Sequence, residues 1–401
     1  MEDSLQQEEQ SRKVKGCILP WMHLYGSLSG DYHLCCHAQY VEPSDGVVGK
    51  KDQSLIDVWN SDVYKKTRKN LLNNKIPYVC KVACYDKEKL GSDSNRLQVN
   101  KRFSHLSGLQ NLTNEDGSLD VYPSYLDIRF GNLCNFKCRT CGPEASTSWY
   151  KDSPFKMTKV IDPYTDNIVF WNSLPPLLPY LRDVYFAGGE PFIQDGHYKL
   201  LKILIDQGYS KNINLQYNTN LSYTKYKKHD LISYWNNFKS VKVWPSCDGY
   251  GSRAEYNRSG LSWDTFSKNC SYFKKYISSI SSVLSIFSIT SMPDLILWCK
   301  QNDFDFYGTT LVYPENQSVT CLPTTQKNDI VKLYKKFVTD YSEILTSHDL
   351  NQIKSWLLYM KNRDDSKLLD KFKTEQQRLD KLRNESFLTT FPEYASWYTN
   401  I

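Results

Sequence analysis

The chain has 401 residues, 40% of them hydrophobic, and a formal net charge of +6 from 50 Lys plus Arg against 44 Asp plus Glu. At roughly 150 residues per domain this predicts two or three domains with real cores, and the mild charge excess permits an anionic partner without demanding one. No apolar run approaches the roughly 20 residues that span a bilayer, and the polar start, MEDSLQQEEQSRKVKG, lacks the apolar core of a signal peptide. A cytoplasmic location without membrane partners is therefore expected. That compartment keeps thiols reduced, so the twelve cysteines read as metal ligands and buried thiols rather than as disulfides.

In chain order, residues 1–15 are expected to be disordered and residues 16–100 to form a small cysteine-rich α+β domain. Within it, residues 54–74 predict one helix, with Leu55, Val58, Trp59, Val63 and Leu71 near one face. Residues 101–120, with NLTNEDGSLD, read as a linker. From 121 to 323 strand-like runs alternate with helical ones. The runs are YLDIRF, DVYFA, INLQYNTN, SVKVWPS, VLSIFSIT (283–290) and FDFYGTTLV (304–312). Such alternation predicts an α/β fold of βα units around a parallel sheet. In that architecture the functional loops lie at the carboxyl ends of the strands. The sequence places CNFKCRTC, GGEP, NTN and SCDG there, in that order. Residues 324–401 predict a C-terminal helical extension covering one side.

Cys134, Cys138 and Cys141 put three thiols within eight residues. Cubane clusters take cysteine thiolates, usually four. Three on one loop hold three irons and leave the fourth open to another ligand. Structural zinc sites prefer four N or S ligands in separated pairs, and no His or fourth Cys nearby completes such a set. The C-x3-C-x2-C spacing resembles the signature of the radical S-adenosylmethionine (SAM) superfamily. An aromatic residue commonly precedes the third cysteine in that family, and Thr140 stands there instead. The resemblance implies a partial (β/α)6 TIM-like barrel over residues 121–323 and an oxygen-sensitive [4Fe–4S] cluster. It also implies reductive cleavage of SAM, yielding a 5′-deoxyadenosyl radical that takes a hydrogen from the substrate.

The same resemblance gives roles to the later loops. Gly188-Gly189-Glu190-Pro191 would contact the SAM amino group, although Gly-Gly-x-Pro is also an ordinary turn before a helix. Asn218, Thr219, Asn220, Ser246 and Asp248 suit the ribose hydroxyls and methionyl carboxylate, and Arg258 could pair with that carboxylate. Helix caps and Asx-turns explain the polar residues as well. Cys247, Cys270, Cys299 and Cys321 read as small buried apolar residues.

In the N-terminal region, Cys17, Gly30-x4-Cys35-Cys36 and Cys80-x3-Cys84 resemble a twitch (shortened SPASM) domain, here before the barrel rather than after it. The resemblance implies an auxiliary [4Fe–4S] cluster on Cys17, Cys35, Cys80 and Cys84, with Cys36 or His37 as alternatives to Cys35. A zinc knuckle has the same pattern of separated groups. Members of that family act on peptides or on carbohydrate and nucleotide small molecules. The expected reaction is hydrogen abstraction from a peptide or protein, with flavodoxin or ferredoxin as electron donor. An RNA- or small-molecule-modifying radical SAM enzyme and a zinc-binding interaction module are the other readings. No catalytic acid, base or radical relay can be assigned from the sequence.

Overall fold

The computed structural model describes residues 14–41, 46–89, 94–311 and 313–399. Of the start expected to be disordered, only Val14 and Lys15 fall among them. Two compact units emerge, one drawn from Met1–Asn132, Val160–Tyr217 and His229–Val241, the other from Leu133–Lys159, Asn218–Lys228 and Lys242–Ile401. Among the described residues, no helix is long and apolar enough to cross a membrane.

The named strands are β1 (His23–Gly26), β2 (Asp31–His33), β3 (Val47–Lys50), β4 (Tyr125–Ile128), β5 (Asp183–Phe186) and β6 (Asn214–Thr219). They continue with β7 (Lys225–Tyr226), β8 (His229–Asp230), β9 (Ser240–Pro245), β10 (Ile280–Leu284) and β11 (Phe306–Thr310). The main sheet runs β3-β2-β1-β4-β5-β6-β9. β1, β4, β5 and β6 are mutually parallel, while β2 is antiparallel to both of its neighbours. Mixed α/β architecture around a parallel sheet is as the sequence predicts.

The sheet's two faces follow from the period of two along each strand. Leu126 lies across from Val184, and Val184 from Leu215. All three are buried, and Phe130, just beyond β4, packs on Phe170 and Phe186. The opposite face carries Tyr125, Asp127 and Arg129, with Tyr185 and Gln216 in register with Asp127. The cysteine-rich segment is not walled off from this sheet, because β1 pairs in parallel with β4, His23 opposite Tyr125.

Three stretches depart from the sequence reading. The single helix expected over 54–74 is two, Leu55–Trp59 and Asp62–Leu72. The break falls at Asn60, whose side chain donates to the carbonyl of Leu119 and accepts from its amide. The expected linker is mostly helical, with an α-helix over Asn95–Arg102 and a 3-10 segment over Ser104–Leu112. Its polar residues serve the backbone of the preceding segment. Within it Gln110 brackets both backbone groups of Lys15, and Asn100, just before it, accepts from Ile18 N and donates to Gly16 O. The strand expected over 283–290 lies earlier, at Ile280–Leu284. The apolar residues after it form a buried turn. Serine hydroxyls make that turn affordable: Ser288 donates to Val283 O, and its oxygen accepts from Ser285 N.

In the second unit β10 and β11 pair in parallel, and bridges join Val243 to Ile277 and Ser246 to Ser281. The C-terminal extension is helical as expected, over Thr324–Asp340, Ser347–Asn362 and Leu369–Arg383.

Candidate functional site

The cysteine loop of the second unit is shaped by backbone contacts at each thiol. Thr147 Oγ1 accepts from Cys134 N, and Thr147 and Ser148 hydroxyls both donate to Cys134 O. Cys141 N closes a turn on Cys138 O, which also accepts from the Trp149 indole at 2.9 Å. Phe136, between the first two cysteines, is buried against Gly260. That glycine has φ +111°, and a Cβ there would stand 2.8 Å from the Phe136 ring.

Two charged residues between the cysteines tie the loop to the C-terminal helices. Lys137 pairs with Asp152 at 2.9 Å, and Asp152 with Arg383 at 2.7 Å. Arg139 is 1% exposed. Its guanidinium reaches Asp380 and Gln376 at 2.6 Å each and Glu385 at 2.5 Å, and lies 3.7 Å over the Tyr256 ring. Crowding by surrounding protein raises the Cys138 and Cys141 thiol pKa values. At Cys138 the Arg258 guanidinium opposes this, whereas neighbouring thiols reinforce it at Cys141.

The other residues read from the sequence take the following places. Asn220 donates to Asn135 Oδ1 at 2.9 Å, inside the cysteine loop, and its own oxygen accepts from Ser222. Ser246 is partly exposed and its amide donates to Thr219 O. Asp248 is fully buried and pairs through Oδ2 with Arg258 Nε at 2.8 Å. Asp248 and Arg258, expected separately around SAM, therefore engage each other.

In the first unit, the GGEP turn ends β5. Gly188 has φ +116°, a conformation that favours glycine, and Gly189 N donates to Gly131 O. Glu190 is 1% exposed, and its Oε1 accepts from Phe192 N at 3.0 Å, capping the turn Pro191–Ile193. The ordinary turn that Gly-Gly-x-Pro also suggests is thus present, capped by this glutamate.

The N-terminal cysteines all belong to the first unit. Cys80 and Cys84 share one face of consecutive helical turns, the second a π-turn over Lys81–Tyr85. Cys17 lies within electrostatic reach of both, and Cys35 of Cys17, Cys80 and Cys84. Burial, reinforced by the neighbouring thiols, drives Cys17, Cys35 and Cys80 up, Cys80 to about 12, so these three are neutral when unligated. Arg96, stacked 4.4 Å over Tyr85, lowers the cost of a thiolate at Cys17. Four soft thiols, Cys84 buried and the other three partly exposed, with a cation beside them fit a metal that takes up thiolate and releases protons. Among the described residues, no three His, Cys, Asp or Glu side chains already stand close enough to share a single ion.

Sequence reasoning missed the polar face of the main sheet. Asp127 is buried, pairs with Arg129 at 2.6 Å and faces His23 at 3.6 Å. The Arg129 guanidinium lies over Tyr185 at 4.7 Å and Tyr25 at 5.3 Å. Cys36, raised to about 12 chiefly by burial, feels Asp127 and Arg129 as well as Cys84. The signal was present in YLDIRF. Charged residues at alternate positions of a buried parallel strand mark a polar interior.

Residues 17–85 match the family model of SPASM, an iron–sulfur cluster-binding domain. No curated protein matches the chain. Among solved structures, it is similar to SuiB of Streptococcus suis bound to S-adenosylmethionine, at 15% identity and TM-score 0.35, covering 66% of this chain and 59% of that one. It is likewise similar to SuiB bound to its precursor peptide SuiA, at 16% identity and TM-score 0.37, covering 69% and 64%. The chain thus spans less than two thirds of SuiB's length.

Proposed function

We propose that the protein is a radical SAM enzyme acting on a peptide or protein. The observation that carries this is the loop Cys134-x3-Cys138-x2-Cys141, which follows a parallel strand in a chain that also carries a SPASM iron–sulfur domain. Cys134, Cys138 and Cys141 would hold a [4Fe–4S] cluster with one open iron, and Cys17, Cys35, Cys80 and Cys84 an auxiliary one. When bound, the cluster and SAM supply one-electron chemistry that generates a hydrogen-abstracting radical.

The chain's own residues would position and shield. Thr147, Ser148 and Trp149 fix the backbone around the thiols. Gly188 and Gly189 let backbone approach a ligand closely, and Glu190 supplies a carboxylate for an ammonium. Asn220 and Ser246 offer amide and hydroxyl groups for the ribose and methionyl carboxylate. The resemblance to twitch and SPASM members, which act on peptides as well as on carbohydrate and nucleotide small molecules, is what supports a peptide substrate. A flavodoxin or ferredoxin would deliver the electron.

Cys138→Ala tests this. The variant should fold, yet form no 5′-deoxyadenosine from SAM and dithionite under anaerobic conditions. Product formation equal to that of the unmodified protein would refute the assignment.

A further inference from the structure

We propose that Arg258, oriented by Asp248, sets the reduction potential of a cluster ligated at Cys138; this rests on the reading of the cysteine loop given above. Two backbone hydrogen bonds bracket the pair. Lys137 N donates to Ser259 O at 2.9 Å, and Arg139 N to Asn257 O at 2.7 Å. The residue between the two acceptors, Arg258, therefore stands opposite the residue between the two donors, Cys138. One guanidinium nitrogen of Arg258 lies 3.9 Å from Cys138 Sγ, within reach of a hydrogen bond to sulfur.

Asp248 holds that arm in place. It is fully buried, forms an ion pair with Arg258 Nε at 2.8 Å, and its other oxygen accepts from Val283 N at 2.7 Å and from the Ser282 hydroxyl at 3.4 Å. A carboxylate fixed by two strand-borne donors aims the guanidinium rather than merely neutralising it. The planar fork lets one edge of Arg258 bind Asp248 while another nitrogen faces sulfur, which a lysine ammonium cannot do. Reduction adds one negative charge at the thiolate-bound metal site. A cation that also donates to a ligating sulfur favours the reduced state, and hydrogen bonds to sulfur and local charge are the protein's main levers on potential. Arg258 acts through Cys138, so it is a positioning and tuning residue, with a role distinct from pairing with the SAM carboxylate.

The test is an anaerobic redox titration followed by electron paramagnetic resonance. The relevant signal is identified in the unmodified protein as the one that changes when SAM is added. Its midpoint is then measured without SAM, which removes the carboxylate from the comparison. Arg258→Gln is expected to retain its iron and to lower the reduced-to-oxidised constant about tenfold, or about 59 mV for one electron. Arg258→Lys, which keeps the charge but loses the fork, should shift the midpoint in the same direction by less. Unchanged midpoints in both variants, beside a clear signal in the unmodified protein, would overturn the tuning role and leave the enzyme reading standing. No SAM-responsive signal in the unmodified protein would overturn the enzyme reading itself.

Discussion

Removing Arg139 should loosen the cysteine loop by detaching it from the C-terminal helix. The Arg139 side chain is fully buried, while those of Asp380 and Glu385 are 14% and 23% exposed. Breaking a buried ion pair by deleting one partner typically costs about 3–5 kcal/mol, because the remaining charge stays desolvated. Asp380 would keep two other donors, Tyr256 Oη and Phe387 N at 2.7 Å each. Glu385 is partly solvated. The lower end, about 3 kcal/mol, is therefore expected for Arg139→Met, which preserves much of the packing on Tyr256. The assay is urea unfolding of the cluster-free protein followed by circular dichroism. Arg139→Met, Asp380→Asn and the double variant complete a mutant cycle. A loss under about 1 kcal/mol, as for a surface pair, would refute the claim that this buried cation anchors the loop.

Other expectations follow from particular residues. Gly260→Ala places a Cβ against Phe136 at φ +111°. It should cost about 1–3 kcal/mol and lower iron uptake, and unchanged stability would contradict this packing. His197 is buried, bonded to Tyr217 Oη at 3.0 Å, and its pKa is lowered to about 3 by burial and then by His229. The unfolded chain binds a proton below about 6.5 and the folded one does not. Stability from this group is complete above pH 6.5 and falls as pH drops toward 3, by about 2 kcal/mol at pH 5. His197→Gln should flatten that slope between pH 7 and 5 in urea titrations, and an unaltered slope would remove His197 as its source. Replacing both Cys80 and Cys84 by Ser should lose about four irons per chain, leaving the SAM-responsive signal. An unaffected iron count would take these cysteines out of the ligand set.

Much of the architecture could be read from local pattern. β4, β5, β6 and β9 fall where alternating apolar runs end in Gly, Asn or Ser, and the cysteine loop follows the first of these strands. The N-terminal cysteine spacing pointed to the SPASM domain that the family match supports. What stayed hidden depends on distance along the chain. Nothing near Arg139 signals partners more than two hundred residues away. Arg258 reads as a free cation until the fold brings Asp248 to its Nε and Cys138 to its other arm. Composition misled at residues 101–120 for a related reason. Their turn-forming residues suggested a solvated linker, yet Gln110 supplies hydrogen bonds to the backbone of Lys15, some 95 positions earlier.

The most direct test of the central claim is the metal content and SAM chemistry of the anaerobically purified protein, reconstituted with iron and sulfide. The account predicts about eight irons per chain, at four per cubane, with 5′-deoxyadenosine formed when dithionite and SAM are added. Zinc in place of iron, with no 5′-deoxyadenosine, would contradict it.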